Sequence, residues 1–353
     1  MTSSRPAPGA RIASRLGISD RVFAGPRSRR LLAAVDAGLD RVEAELADDL
    51  RVTSPVADSA SRYLLEAGGK RIRPMLTLLV AQLGDGGTDR VIDAAKALEM
   101  THLGSLYHDD VMDGADRRRG VPSAHAVWGN NVAILTGDLL FARASQLMAG
   151  AGERAIRLQA DTFERLVLGQ MNETVGAGED DDPIDFYIQV LADKTGSLIA
   201  AAAASGILFS GADLALEDAV REYGEKVGVA FQLQDDVIDL SADAEKTGKV
   251  PGTDLRAGVP TMPSLLLDRS EDPADRDLAD RIRAGQARVI AGEDPRILDE
   301  EIEQLRDSAV TRQTQALAAR WAGEAKSALD ALPSGAVHEA LIRFADAVVD
   351  RSA

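Results

Sequence analysis

The sequence predicts an all-α fold. Apolar residues recur at helical spacing through most of the 353-residue chain. No stretch of useful length alternates polar and apolar residues as a half-buried strand would, and no short-period repeat is present. A hydrophobic content of 45% is enough for a large core. Length alone suggests two domains, but no linker supports a split. The expected organisation is a disordered tail over residues 1–27 and one helical domain over 28–353. The first thirty residues hold seven arginines and one acid. A transit peptide has a similar composition, but no apolar core of a secretory signal is present.

The elements follow in order. Residues 28–47 place Leu31, Leu32, Val35, Leu39, Val42 and Leu46 on one helical face. Pro55 interrupts, and residues 56–67 form a second helix that Gly68 and Gly69 end. Lys70, Arg71 and Arg73 then lie on a short loop before Pro74, which opens a helix over 75–83, because residues before proline avoid the helical region. Three cations at a helix N-terminus make an anion site, and the two glycines let backbone approach a ligand. A turn over 84–88 leads into a long helix over 89–107. Residues 124–148 are helical, with interruptions at Gly129 and Gly137, and 154–174 form another helix carrying Gly169-Gln170. Residues 186–209 are helical but contain Lys194-Thr195-Gly196, where a glycine predicts a kink or break. The helix over 214–240 precedes a loop over 241–263, rich in Gly and Lys, whose composition suits a lid. The remainder is helical.

Composition excludes several functions. The net charge is -17, from 40 basic and 57 acidic residues, so no basic surface for nucleic acid stands out. Aromatic residues are only 4%, too few for base stacking, and there are no cysteines for disulfides, thiolate sites or nucleophiles. The four histidines lack zinc spacing. No apolar run reaches the ~18 residues of a membrane span, and the location expected is cytoplasmic, with peripheral membrane contact at most.

Chemistry is concentrated where two apolar helices end. Asp109, Asp110 and Asp113 close the first, and Asp235, Asp236 and Asp239 close the second. Residues three or four apart share a helix face. Carboxylates ~5 Å apart at an effective dielectric of ~20 repel by about 3 kcal/mol per pair, so a cation belongs among them. Hard divalent ions such as Mg2+ suit such oxygen ligands and bring phosphate with them. Arg117, Arg118 and Arg119 follow the first cluster, and guanidinium groups bind phosphate bidentately. One such cluster also fits a solvated helix end. Two copies fit two carboxylate walls around one metal–diphosphate group.

Together, Gly68-Gly69-Lys70-Arg71-Ile72-Arg73-Pro74, Asp109-Asp110-x-x-Asp113, Arg118-Arg119-Gly120, Gly169-Gln170, Lys194-Thr195-Gly196 and Phe231-Gln232-x-x-Asp235-Asp236-x-x-Asp239 make the chain resemble a trans-isoprenyl (polyprenyl) diphosphate synthase from about Leu31 onward. The resemblance implies a single helical bundle around a deep central cavity, usually homodimeric. It implies three Mg2+: two held by Asp109 and Asp113, a third by Asp235, with Asp110, Asp236 and Asp239 in support. It assigns Arg118 to the allylic diphosphate, and Lys70, Arg73, His102 and Arg119 to isopentenyl diphosphate. Lys194, Thr195 and Gln232 would face the reacting carbons, and Lys249 would close over phosphate. Small residues below Asp109, namely Ser105, Gly104 and Thr101, imply an open tunnel and an all-trans product longer than twenty carbons, such as a quinone side-chain precursor. Close helix packing is the other reading of Gly104. Shorter-chain synthases, a class I terpene cyclase and a non-catalytic subunit of a heteromeric synthase are the alternatives. The chain has Gly258-Val259 where many relatives place a lysine, and Arg256 is the expected substitute. Asn172-Glu173 also departs from the short-chain pattern.

Overall fold

The computed structural model describes residues 26–241 and 251–351. Among them the only β-structure is a two-residue antiparallel ladder, Arg117–Arg118 (β1) with Val121–Pro122 (β2), so the all-α expectation holds. Lys249 and nearly all of the 1–27 tail lie outside the described residues.

The chain forms two compact units, each assembled from three separate stretches. The first takes residues up to Leu166, Ser197–Gly224 and Ala328–Arg343. The second takes Val167–Gly196, Glu225–Ser327 and Phe344–Ala353. All five passages between units fall at or inside helices, which is why no linker is visible in the sequence.

In the first unit, α1 (Pro26–Asp49) and α2 (Pro55–Glu66) precede α3 (Ile72–Val80) and α4 (Asp89–Met112). Proline starts α2 at its first turn, where a missing N–H costs nothing. The Thr88 hydroxyl caps α4 by accepting from the Val91 N–H. Three acids on two helices converge on buried Lys96: Glu45 and Asp49 of α1 at 2.9 Å, and Asp93 of α4 at 3.0 Å. Together they raise its pKa despite burial. The fully buried Tyr107 ties α4 to α2, donating to the Ala60 carbonyl and accepting from the Leu64 N–H.

A short α5 (Ala124–Trp128) and α6 (Asn130–Ala151) follow, separated at Gly129 as expected. Gly137 does not interrupt α6. It lies against the His108 ring and the Gly104 carbonyl, so the two glycines let α4 and α6 approach closely. The helix α7 (Glu153–Val175) runs through the boundary between units. The Ala-rich α9 (Ser197–Ser210) packs on α3 without room for a Cβ at Gly206, and the Thr77 hydroxyl donates to the Ala202 carbonyl at 2.9 Å.

In the second unit, α8 (Pro183–Leu191) runs into a π-helical turn, Ala192–Gly196, where the sequence predicts a break. The helix α10 (Glu217–Ser241) delivers its second half to this unit. Around it lie α11 (Thr253–Ala257), α12 (Met262–Arg269), α13 (Pro273–Ile290), α14 (Asp299–Asp307) and α15 (Ala309–Ala328). The last helix, α16 (Ala336–Val349), again crosses between units. One apolar cluster joins Leu191, Val229, Leu233, Met262 and Ala318. It holds α8, α12 and α15 against α10.

By length and apolarity, α6 qualifies as long enough to cross a membrane, with a third of its apolar window buried. The sequence expectation missed it because Asn130, Asn131 and Asp138 interrupt a strictly apolar run. Its unburied apolar side chains include Ile134 and Leu135.

Candidate active site

The first aspartates occupy the last turn of α4. Asp109 and Asp110 lie inside the helix, and Asp113 is its C-cap, donating its N–H to the Asp109 carbonyl at 2.8 Å. The three do not share one environment. Asp110 is fully buried, and its Oδ1 accepts from Nε and Nη2 of Arg118, both at 2.6 Å. Burial, with Asp113 adding repulsion, raises its pKa against the pull of Arg118. The helix explains the split, since a residue one position on is rotated by about 100°. Asp109 and Asp113 are the pair presented away from the core.

The expected anion loop is differently built. α3 opens at Ile72 rather than Met75, so Arg73 sits in the first helical turn and Arg71 is the N-cap in the left-handed region, φ 52°. Proline as the third helical residue lacks only an N–H that has no helical partner, so its bias against a helical predecessor is overridden. Arg71 is not free for phosphate. It donates to Glu99 at 3.0 Å and to the carbonyls of Gly68 and Leu65, and both side chains of the pair are buried. Removing one partner of such a pair costs on the order of 3–5 kcal/mol.

Arg73 is the available cation: its Nε is buried without a hydrogen-bond partner. Burial pulls its pKa down to about 10, as does Arg119, and it remains charged at neutral pH. Arg119 donates to the carbonyls of Leu64, at 2.7 Å, and Gly68. A Cβ on Gly69 would lie 2.6 Å from Nη1 of Arg71 and 3.0 Å from Cζ of Arg119. The glycine makes room for these two guanidinium groups. His102 stands in the same field. Desolvation, reinforced by Arg73, Arg119, Arg118 and Arg71, lowers its pKa well below the ordinary value, so its ring is neutral. Lys70 is exposed nearby in sequence.

The second aspartates close α10 in the other unit. Asp235 and Asp239 are partly exposed; Asp236 is buried. Its Oδ2 accepts from the Met262 N–H at 2.9 Å, and the Tyr187 hydroxyl lies 3.1 and 3.0 Å from its two oxygens. Burial drives its pKa up to about 8, with Asp254 and Asp235 adding to the rise. Asp239 is tied to the following segment, its carbonyl accepting from Gly252 and its Oδ2 from the Asp254 N–H. The Asp235 Oδ1 accepts from Nη2 of Arg351 at 2.7 Å. Sequence reasoning missed both Tyr187 and Arg351, whose roles depend on packing across more than forty residues of chain.

The π turn explains two motifs together. A Cβ on Gly169 would lie 2.6 Å from the Lys194 backbone N, so only glycine lets α7 reach the turn. There Lys194 forms an ion pair with Glu173, which gives the Asn172-Glu173 departure a physical role. Thr195 and Gln232 are half-buried. Arg256, which could compensate for the missing lysine, is already engaged within the protein. It is buried against Asp299 at 2.6 Å and against the carbonyls of Pro251 and Pro295.

Small residues below Asp109 behave differently from one another. Gly104 sits at the α4–α6 contact, where a Cβ would come within 2.9 Å of Phe141 and 3.1 Å of the Gly137 carbonyl. Ser105 is half-buried and bonds only within its helix, to the His102 carbonyl at 2.9 Å. Thr101 accepts from Gln159 at 2.8 Å. Gln159 lines an apolar cavity of about 330 Å³ with Phe141, Met148, Ile156 and Phe163.

Among the described residues, no three acids or histidines converge as a closed metal cage. The donor set fits a metal held by one or two carboxylates and completed by substrate oxygens. The Asp235 carboxylate forms an ion pair with the Arg351 guanidinium at 2.7 Å.

Acidic helix ends and an arginine-lined histidine define a metal-assisted enzyme of diphosphate esters. Comparison with known proteins specifies the class. Residues 54–291 match the family described as polyprenyl synthetase. The chain is 42% identical to a nonaprenyl diphosphate synthase of Mycobacterium tuberculosis over 97% of its length and 98% of the relative's. A polyprenyl synthase from Caulobacter crescentus, crystallised with calcium and isoprenyl diphosphate, superposes with a TM-score of 0.81 at 32% identity, covering 92% of this chain and 98% of that one. A geranylgeranyl pyrophosphate synthase from Corynebacterium glutamicum gives 0.79 at 38% identity, covering 93% and 98%. The chain belongs to the polyprenyl synthetase family. It is a prenyltransferase of isoprenoid biosynthesis that acts on isoprenyl diphosphates, in a family that uses divalent metal.

Proposed function

We propose that this enzyme adds isopentenyl diphosphate repeatedly to an allylic diphosphate and makes an all-trans polyprenyl diphosphate longer than twenty carbons. The observation that carries the reading is the cluster of Arg73, Arg118 and Arg119 around a neutral His102, on the helix whose end bears Asp109 and Asp113. Arg73, His102, Arg119 and Lys70 bind isopentenyl diphosphate. The free part of the Arg118 guanidinium, held by Asp110, faces the allylic diphosphate. Asp109 and Asp113, and likewise Asp235, would hold Mg2+, three ions in all, which would supply charge stabilisation for the departing diphosphate.

The residues of the chain then do four things. Asp109, Asp113 and Asp235 would orient the headgroup through the divalent metal they hold, and its C1–O bond breaks heterolytically with the electron pair leaving on the diphosphate. The cations fix the isopentenyl group so that its terminal alkene carbon attacks C1. Thr195 and Gln232 present dipoles to the allylic cation, and Lys194, whose charge is balanced by Glu173, faces the same reacting carbons. A proton leaves the new cation for the released diphosphate, which restores a double bond. None of these steps uses a protein nucleophile.

Product length rests on Ser105 and Thr101, on small side chains below Asp109, and on the 97% coverage by a relative named for a nine-unit product. The Corynebacterium relative is named for a twenty-carbon product, so names alone do not decide it. The exposed apolar residues Val127, Ile134, Leu135 and Ile156 support a homodimer. We place the enzyme in the cytoplasm, touching a membrane when product leaves.

The test is incubation with Mg2+, labelled isopentenyl diphosphate and dimethylallyl, geranyl or farnesyl diphosphate. Products beyond twenty carbons are expected. No consumption of isopentenyl diphosphate overturns the reaction, and products stopping at twenty carbons or fewer overturn the length.

A further inference from the structure

Arg351, two residues beyond the end of α16, is held against the last turns of α10 by several separate contacts. Its guanidinium carbon lies 3.9 Å from the centre of the Phe231 ring. Its Nη2 donates to Asp235 Oδ1 at 2.7 Å and, at 3.4 Å, to the Phe231 carbonyl. Its own carbonyl accepts from the Gln234 side chain at 2.9 Å, and Nε donates to Val348 at 3.3 Å. The Arg351 side chain is only 17% exposed, against 42% for Asp235. A planar cation stacked on an aromatic ring and aimed at one carboxylate oxygen is a built contact, since each interaction fixes the orientation the other needs.

We propose that Arg351 is an internal counter-cation that competes with the divalent metal for Asp235. The proposal rests on Asp235 being a metal ligand in the reading above. A guanidinium and a hard divalent ion on the same carboxylate would stand within a few ångström of each other, so each cation weakens the other's hold on Asp235. Arg351 neutralises Asp235 while no metal–diphosphate is bound. Loading of metal and diphosphate releases the guanidinium from Asp235 and loosens the segment after α16. Because binding effects are reciprocal, whatever holds Arg351 on Phe231 weakens metal at Asp235 by the same factor. This makes the segment around Arg351 a sensor of an occupied site.

The test uses full-length protein, Mn2+ as a spectroscopic probe and inorganic diphosphate. Mn2+ binding is followed by loss of the free-ion electron paramagnetic resonance signal. Arg351→Gln is expected to tighten Mn2+ binding about five- to tenfold, the combined worth of a partly exposed ion pair and a cation–π contact. Phe231→Leu, which removes the ring but keeps the charge, is expected to shift binding in the same direction by a smaller factor. In the wild type, amide exchange over residues 344–351 is expected to accelerate when Mn2+ and diphosphate are added. Unchanged or weaker Mn2+ binding in both variants overturns the proposal, as does slower exchange of that segment on loading. Asp235→Ala separates the two readings. If it leaves Mn2+ binding unaltered, the metal assignment itself fails. If it weakens Mn2+ binding while Arg351→Gln has no effect, only the competition fails.

Discussion

The hydroxyl of Tyr187 on α8 lies against both carboxylate oxygens of Asp236 on α10, at 3.1 and 3.0 Å, while the backbone N–H of Met262 holds one of them from α12. Asp236 thus joins three helices. The first motif repeats the design with different chemistry, its middle aspartate, Asp110, being buried against Arg118. In each motif the central carboxylate is the buried one, and its neighbours are more exposed.

Stability without metal is predicted to depend on pH through Asp236. Its folded-state pKa, about 8, is raised above the ordinary carboxylate value by burial first. The folded state therefore binds the extra proton, and stability falls as pH rises through the interval between the ordinary value and about 8. Thermal melts in EDTA are expected to show this loss, and Asp236→Asn to flatten the profile. An equally steep profile in the variant would refute the assignment.

Tyr187→Phe is expected to destabilise the fold by about 1–3 kcal/mol, the cost of leaving a buried polar group short of a partner. Denaturant titration measures it. In steady-state assays at neutral pH, Asp235→Ala is expected to lower kcat by at least about a hundredfold, as for loss of one group stabilising developing charge. Asp236→Asn is expected to lower it far less. Equal losses would contradict the division of roles.

His102 is neutral because burial and four arginines disfavour its charged form. The KM for isopentenyl diphosphate is therefore expected to show no histidine titration between pH 6 and 8. The stability contribution of the neutral ring is lost as pH falls below the ordinary histidine value, since the unfolded chain then binds the proton first. A KM inflection near pH 6.5 that disappears in His102→Gln would refute this.

Gly69→Ala is expected to raise the KM for isopentenyl diphosphate severalfold and to lower the melting temperature. Its φ of +139° is strained for any side chain, and an added Cβ displaces the guanidinium groups of Arg71 and Arg119. An unchanged KM would detach that loop from the substrate.

Ser105→Phe is expected to shorten the product, read by chromatography of the dephosphorylated alcohols. Gly104→Phe is not an equivalent probe, because Phe141 and the Gly137 carbonyl occupy the space it needs. It is expected to lower soluble yield. Unaltered chain length in a folded Ser105→Phe enzyme would remove Ser105 from the product tunnel.

Helix content, the order of the motifs and the metal–diphosphate chemistry were all determined by the sequence, because periodicity and residue type carry them locally. The break at Lys194-Thr195-Gly196 was legible for the same reason. Which charges are spent inside the protein was decided only by tertiary structure. Arg71, Arg73 and Arg119 are alike in one dimension, yet Glu99 claims the first, backbone carbonyls claim the third, and Arg73 is buried beside Arg119, which with desolvation draws its pKa down. Arg256 is lost to Asp299, and Asp236 to Tyr187, by contacts spanning more than forty residues of chain. A charge is committed by desolvation and by the partner that packing brings to it, and neither is written at the position of the charge itself.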